Sequence, residues 1–388
     1  MPPRPRPPVV IAVTAAVLSR GLILGVGVLA VMLIGAPKDQ RLPVRATEHV
    51  LADLPARWDT GWYVGLASGG YHWDGRAGHF ENIAFFPAYP LLLGTVARGL
   101  GAKLEVTSNW VGVGLSTTLF AVALWLLWHS VRRLGDARQA GWAVLLCASY
   151  PFSLFFGLPY TESLFLVGLV ATFLAFERRW YTAALLGGIL VGSTRPTGAL
   201  VSAALALLWY GQYSDALHPI PRRQLVASVA VVAGPLLGVA VYSAFIYGLT
   251  GDPLAWATVQ EGWGRPSQSP FAALGGPLLR LATSPTHAVT AVPHETLNAT
   301  AALGVLALSW PVGKRLGAGY GLMTFMGVAV PLAAGGVASV GRYSAVLFPL
   351  HMWLALAVPA SRLPALAAGF AVLQAVVAGL FLTWRPMY

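Results

Sequence analysis

Charge is scarce in this chain. Only 10% of its 388 residues are Asp, Glu, Lys or Arg, against about 25% in soluble domains. That shortage excludes a water-soluble enzyme, because too little polar surface exists to cover the fold. It also excludes a disordered chain, whose composition is polar and charged. Cysteine is scarcer still. Cys147 stands alone in an apolar run, which excludes an internal bridge and a secreted disulfide scaffold. Acidic residues number 14 against 25 Lys and Arg, for a net charge of +11. In so apolar a chain this balance reads as cytoplasmic loops and contact with anionic lipid rather than nucleic-acid binding. Also lacking are an internal repeat, a Gly-rich phosphate loop, a metal-ligand cluster and any His-x-x-x-His pair. Chemistry must then come from carboxylates, arginines and aromatics, and neither a resident cofactor nor a metal is expected.

What the chain has in abundance is apolar length. Hydrophobic residues make up 56% and the mean hydropathy is +0.67, so the expected fold is an all-α polytopic membrane protein, a single domain over 1–388. A basic, Pro-rich arm at 1–8 leads into an apolar run from Val9 to Ala36, broken only by Arg20. That run exceeds the roughly 7–15 residues of a signal-peptide core and reads as an uncleaved anchor. Further runs lie near 104–131, 139–158, 160–176, 225–250, 296–312, 318–336, 343–359 and 364–384. Two short pieces between 181 and 211 are split by Ser193-Thr194-Arg195-Pro196 and read as a hairpin that enters and returns. About eleven segments result.

With the N-terminus inside, Arg132/Arg133, Arg178/Arg179, Arg222/Arg223 and Lys314/Arg315 all fall on the cytoplasmic side, as the positive-inside rule requires. This holds only if 84–100 does not cross. Pro87, Pro90, Arg98 and Lys103 make that stretch a poor span, and it is expected at the outer interface. Two long outer loops remain, 37–103 and 251–295, and long ordered loops usually carry function.

The first loop holds Arg57-Trp58-Asp59-Thr60-Gly61-Trp62-Tyr63. Trp58 and Trp62 are spaced i,i+4 and are expected on one face of an interfacial helix. Asp59 beside them is placed to act as general base at the membrane surface, or simply to cap that helix; Asp53 and Asp74 are weaker alternatives. Phe85-Phe86-Pro87-Ala88-Tyr89-Pro90 predicts an irregular or kinked backbone. Tyr160-Thr161-Glu162 opens a span, where Glu162 either favours the helix dipole, with Thr161 as cap, or binds substrate. Arginine costs roughly 2.5–3.5 kcal/mol at a span centre on insertion scales, so Arg20, Arg195 and Arg342 each call for a partner. A lipid phosphate suits a guanidinium; snorkelling or pairing with Glu162 are the alternatives. In the second loop, Gly251-Asp252-Pro253 and Gln260-Glu261-Gly262-Trp263 offer a sugar-stacking surface or plain interfacial anchors.

Taken in order, these pieces resemble the PIG-V family, the GPI mannosyltransferase 2 type, and its bacterial relatives. The matching strings are RWD-x-x-WY at Arg57–Tyr63 with Gly70-Tyr71, FFP-x-YP at Phe85–Pro90, and YTES-x-F at Tyr160–Phe165. Thr-Arg-Pro-x-Gly at Thr194–Gly198, GDP…Q-x-x-W at Gly251–Trp263, and Arg342 with Pro349 complete the set. Each is unspecific alone, and six in matching order are not. The resemblance covers about residues 10–360. It implies a GT-C glycosyltransferase fold with its active site on the non-cytoplasmic face, and a first-loop carboxylate, here Asp59, as catalytic base.

The expected activity is inverting transfer of mannose from a polyprenyl-phosphate donor to a glycolipid, polysaccharide or protein acceptor. Donor-phosphate or substrate contacts are expected from Arg195, Arg342, Glu162, Tyr160, Arg57, Trp62, Tyr63, Tyr89, Gln260 and Trp263. The Arg-, Gly- and Ala-rich composition points to a bacterial plasma membrane, with the site facing outside. Another polyprenyl-linked sugar would fit the same fold. A transporter or flippase is the rival class, though transporters often carry paired repeats.

Overall fold

In hydrocarbon a backbone has no water to bond, so an open chain can cross only as helix. The computed structural model describes residues 7–37, 47, 49–75, 81–102, 105–214, 220–263 and 269–387, and all regular structure among them is helical. The helices are α1 Pro8–Leu33, α2 Thr60–Gly69, α3 Ala88–Gly99, α4 Glu105–Val131, α5 Ala137–Ser149 and α6 Glu162–Glu177. Next come α7 Tyr181–Thr194, α8 Leu200–Tyr213, α9 Arg222–Thr250, α10 Ala255–Thr258, α11 Pro270–Thr283 and α12 Pro285–Thr290. The series ends with α13 Pro293–Leu316, α14 Ala318–Gly335, α15 Val340–Ala345, α16 Phe348–Ala357 and α17 Leu363–Leu382.

All eleven expected apolar segments are helical, but they differ in length. Among the described residues six helices, α1, α4, α9, α13, α14 and α17, are long and apolar enough to cross a membrane. Two expected spans are interrupted. The 139–158 run stops as α5 at Ser149 and continues as a 3-10 turn over Ser153–Gly157, because Pro151 cannot extend a helix. The 343–359 run divides into α15 and α16. The 181–211 pair behaves as expected: Tyr181 and Tyr213, at opposite ends of α7 and α8, meet hydroxyl to hydroxyl at 3.0 Å, so the chain goes up and returns. The α3 helix has 12 residues, or about 18 Å at 1.5 Å per residue, well short of the ~30 Å hydrocarbon layer. It packs on α2, where Gly94 faces the Ala67 carbonyl.

The two ends of the bundle differ in charge. At one end Arg133 pairs with Glu177, Arg315 donates to the Leu356 carbonyl at 2.9 Å, and Gln224 donates to Tyr213. These links gather the tails of α4, α6, α8, α13 and α16 with the start of α9, and all four cationic pairs with them. The other end collects α2, the first turn of α6, the apex between α7 and α8, and α15. One end is cationic and the other holds the candidate site.

Arg20 is fully inside the bundle, 3% exposed, and serves neither lipid nor phosphate. Its Nη2 donates to the Ala148 carbonyl at 3.2 Å and to Ser153 Oγ at 3.1 Å, and its Nη1 to the Ser153 carbonyl. Gln374 of α17 donates to the Ala148 and Tyr150 carbonyls at 2.8 and 3.3 Å. Pro151 halts α5 deep in apolar surroundings, leaving carbonyls without intrahelical donors, and Arg20 and Gln374 supply them.

Close backbone approach sets the place of the apex. Glycines 188 and 192 of α7 lie against Pro235, and Gly238 of α9 lies against Ile189 and Ser193, the small-residue packing that membrane helices favour. A Cβ at Gly192 would fall on the Pro235 carbonyl oxygen, a rigid neighbour. Gly192→Val is therefore expected to cost about 3 kcal/mol, the upper range for overpacking. The check is thermal melting in detergent, with Gly25→Ala, whose Cβ meets nothing within 4 Å, melting close to the unaltered chain.

Candidate active site

A cavity of about 450 Å³ opens at the end of the bundle away from the cationic pairs, within the ~300–1,000 Å³ typical of ligand sites. Its back is Asp59, Tyr63, Arg342 and Tyr343, and its floor is the apex Thr194–Thr197 with Leu200. One wall is Val330, Pro331, Ala334, Gly335 and Ala338; the other is Phe85, Phe86, Trp256 and Gln260.

Each charged group is delivered by a local departure from helix. α7 ends at Thr194, and Arg195 is extended (φ −156°, ψ 150°) before the turn Pro196–Ala199. Pro196 has no N–H and disfavours helix at the residue before it. Asp59 follows Trp58, which is left-handed at φ 53°, an uncommon conformation for a bulky residue. The Asp59 N–H donates to Tyr160 Oη at 3.0 Å, and that hydroxyl donates to the Arg57 carbonyl at 2.9 Å. Arg342 lies on α15, entered through Ser339 at φ 62°. The next turn is tied to α13 by the Gly341 N–H donating to Asn298 Oδ1 at 2.7 Å.

These devices bring four charges together. Arg342 Nη1 donates to Asp59 Oδ2 at 2.7 Å, and Arg342 Nε donates to Glu162 Oε1. Arg195 Nη2 donates to the same Glu162 oxygen, while Arg195 Nε donates to Thr161 Oγ1 at 2.7 Å. The charges balance, two against two. Exposure separates the carboxylates: Glu162 is 0% exposed and Asp59 23%, so of the two only Asp59 opens to the cavity. Among the described residues no bond engages Asp59 Oδ1, Arg195 Nη1 or Arg342 Nη2, and all three residues line the cavity. Burial pushes the Tyr63 hydroxyl up to about 12, so it faces the cavity as a neutral phenol.

Of the residues singled out from sequence, Asp59, Tyr63, Arg195, Gln260 and Arg342 line the cavity. Glu162 and Tyr160 lie directly behind it, buried. Three others do not line it. Arg57 pairs with Asp53 at 2.9 Å, donates to the Leu382 carbonyl at 2.9 Å and lies over the Trp384 ring. Tyr89 is buried with its hydroxyl 2.8 Å from Ser116 Oγ. Trp62 stacks on Phe85 with centroids 5.6 Å apart. The Trp263 side chain lies outside the described residues.

One local expectation fails, and one alternative reading, helix capping, is not what these side chains do. α2 begins at Thr60, so Trp58 shares no helical face with Trp62; it packs edge-on against Trp384 at 5.5 Å. Neither Asp59 nor Thr161 makes a side-chain cap, because arginine engages both. Trp256, Phe86 and Tyr343 escaped sequence reasoning as wall residues. The Phe85-Phe86-Pro87 string was a signal for one of them, while Trp256 carried none beyond its place in the second loop.

The helical architecture is that of the GT-C fold, in an integral membrane protein with six described helices long and apolar enough to cross a membrane. It matches ArnT from Cupriavidus metallidurans, solved bound to undecaprenyl phosphate, with a TM-score of 0.52 and 15% identity over 93% of this chain and 63% of that one. The Archaeoglobus fulgidus oligosaccharyltransferase in complex with Zn and sulfate gives a TM-score of 0.47 at 16% identity, over 94% of this chain and 52% of that one. In sequence, 124 residues are 35% identical to GPI alpha-1,6-mannosyltransferase 2 of Cricetulus griseus. That match takes in 30% of this chain and 24% of the hamster protein, so the chain spans about a quarter of the length of the curated relative it matches. No family model matches. The likeness to the GPI mannosyltransferase 2 type is borne out over those 124 residues.

Removing one partner from a buried ion pair strands the other charge, at a cost of about 3–5 kcal/mol. Glu162→Leu strands two guanidiniums. It is expected to lose about 3 kcal/mol or more of stability, read as a drop in detergent melting temperature. Trp62→Leu, at a half-buried ring outside the cavity lining, is expected to lose less.

Proposed function

We propose that this protein transfers a hexose, most plainly mannose, from a polyprenyl-phosphate carrier to a hydroxyl of a lipid-linked or cell-envelope acceptor. The observation that carries the reading is the cavity in which an accessible carboxylate, Asp59, stands beside two anchored guanidiniums, Arg195 and Arg342. Mannose is supported by the similarity to a protein named as a mannosyltransferase, and a polyprenyl-phosphate carrier by the name of the ArnT complex. The cavity's place opposite the cationic pairs supports a site on the non-cytoplasmic face.

In the proposed reaction the arginines hold the phosphate and offset the charge that grows as it departs. The acceptor oxygen attacks the anomeric carbon from the face opposite the phosphate and forms a new C–O bond. The old C–O bond breaks with its electron pair going to phosphate, and the acceptor proton passes to Asp59. The products are an inverted glycoside and polyprenyl phosphate, and Asp59 returns its proton to solvent. Aromatic Trp256, Phe86 and Tyr63 supply faces for the sugar's C–H surface.

General-base catalysis contributes roughly 10²–10⁴ in rate. Asp59→Asn is therefore expected to lower turnover by about that factor while the protein stays folded. The test is purified protein in lipid vesicles with radiolabelled polyprenyl-phosphate mannose and a host lipid extract. A labelled lipid that forms with the unaltered chain and vanishes with the variant supports the reading. Near-normal activity in a folded Asp59→Asn protein removes Asp59 as base, and donor left unconsumed by the unaltered chain removes mannose.

A further inference from the structure

Arg342 is committed twice. Its Nη1 holds Asp59 Oδ2 at 2.7 Å and its Nε holds Glu162 Oε1. The same guanidinium lines the cavity and packs over the rings of Tyr160 and Phe155 at 4.8 and 5.5 Å, which limits how far it can swing. While Asp59 Oδ2 accepts from Arg342, that oxygen is not open to an acceptor hydroxyl. A guanidinium held by two carboxylates is likewise a weaker anion ligand than a free one. Asp59 and an anion at this site therefore compete for one guanidinium.

We propose that Arg342 is exchanged between Asp59 and an incoming phosphate, so that the base is freed only when the phosphate is seated. The proposal rests on the reading of Asp59 as base and adds a coupling between the two halves of the site. Glu162 makes the exchange local. Buried at 0% exposure and bonded to both arginines, it keeps Arg342 Nε and Arg195 Nη2 in place while Nη1 changes partner. Asp59 is the releasable carboxylate because it is the exposed one. Phosphate arriving at Arg195 and Arg342 brings the negative charge that replaces Asp59 in the balance of two against two. An order follows: the phosphate-bearing donor binds before Asp59 is released to take a proton, and an acceptor arriving first meets a carboxylate whose Oδ2 is still engaged by Arg342.

The exchange makes an unusual demand. Removing the Asp59 charge should slow turnover yet strengthen phosphate binding, because Arg342 loses a competitor. Calorimetric titration of the purified chain in detergent with decyl phosphate would read it, with inorganic phosphate as a separate arm to tell a lipid phosphate from the bare anion. Asp59→Asn is expected to bind decyl phosphate about tenfold tighter than the unaltered chain, a small share of the coupling seen between close charge pairs. Asp59→Ser removes the same charge and serves if the asparagine variant does not fold. In an Arg342→Gln background the gain should vanish, since the two changes act through one contact. Equal or weaker binding in both Asp59 variants, or a gain that persists with Arg342→Gln, overturns the exchange. Binding is read without sugar transfer, so the two readings fail separately. A chain that obeys the binding cycle but transfers no sugar keeps the Arg342 exchange and loses the transferase reading together with the base it would free, and one that transfers sugar without the tightening loses only the exchange.

Discussion

The Glu162 carboxylate, closed off from solvent and bonded to two arginines, is the interaction around which the site is organised. Arg195 arrives from the broken apex between α7 and α8, and Arg342 from the short helix after α14. Neither helix packing nor hydrophobic burial would bring two guanidiniums side by side, since like charges repel. One buried carboxylate between them offsets that repulsion, and Asp59 completes neutrality at the cavity edge. Buried ionic clusters are a weak source of stability, and this one is better understood as fixing geometry. It sets where the two guanidiniums stand and which carboxylate faces the cavity.

Around that centre the chain repeatedly gives up regular helix. Pro151 ends α5, Pro196 ends the α7 rise, and Trp58 and Ser339 take left-handed backbone just before the residues that matter. Irregular backbone within a membrane protein survives only where protein or a cavity satisfies it. Here Arg20, Gln374, Tyr160 and Asn298 do so by named hydrogen bonds. Arg20 shows that an arginine in a span can be wholly architectural. The insertion cost that flagged it was real, but the compensation came from broken backbone rather than from substrate.

How much of this was legible in sequence follows from what sequence encodes. Apolar runs record helices well because period and length are local properties, and the eleven segments duly appear as helices. Whether a run is one helix or two depends on a single proline and on what lies beside it, so α5 and α15/α16 emerged only in three dimensions. Arg195 and Arg342 were legible because charge in lipid is costly wherever it stands. Asp59, singled out by its motif, does line the cavity. The shared use of Glu162 was not legible, because residues 162, 195 and 342 meet only through long-range packing. Arg57 sits two residues from Asp59, yet the left-handed turn at Trp58 sends the two side chains to different neighbours, a separation that spacing along the chain cannot reveal.

The first loop is also bound to the last helix. Arg57 donates to the Leu382 carbonyl across 325 positions, and its guanidinium and the Trp58 ring both lie on Trp384. The loop that carries Asp59 is thereby held from two directions, by Tyr160 at the Asp59 N–H and by the end of α17 at Arg57. Its position draws on helices from the middle and the last part of the chain, so the cavity edge is complete only once both have packed against it.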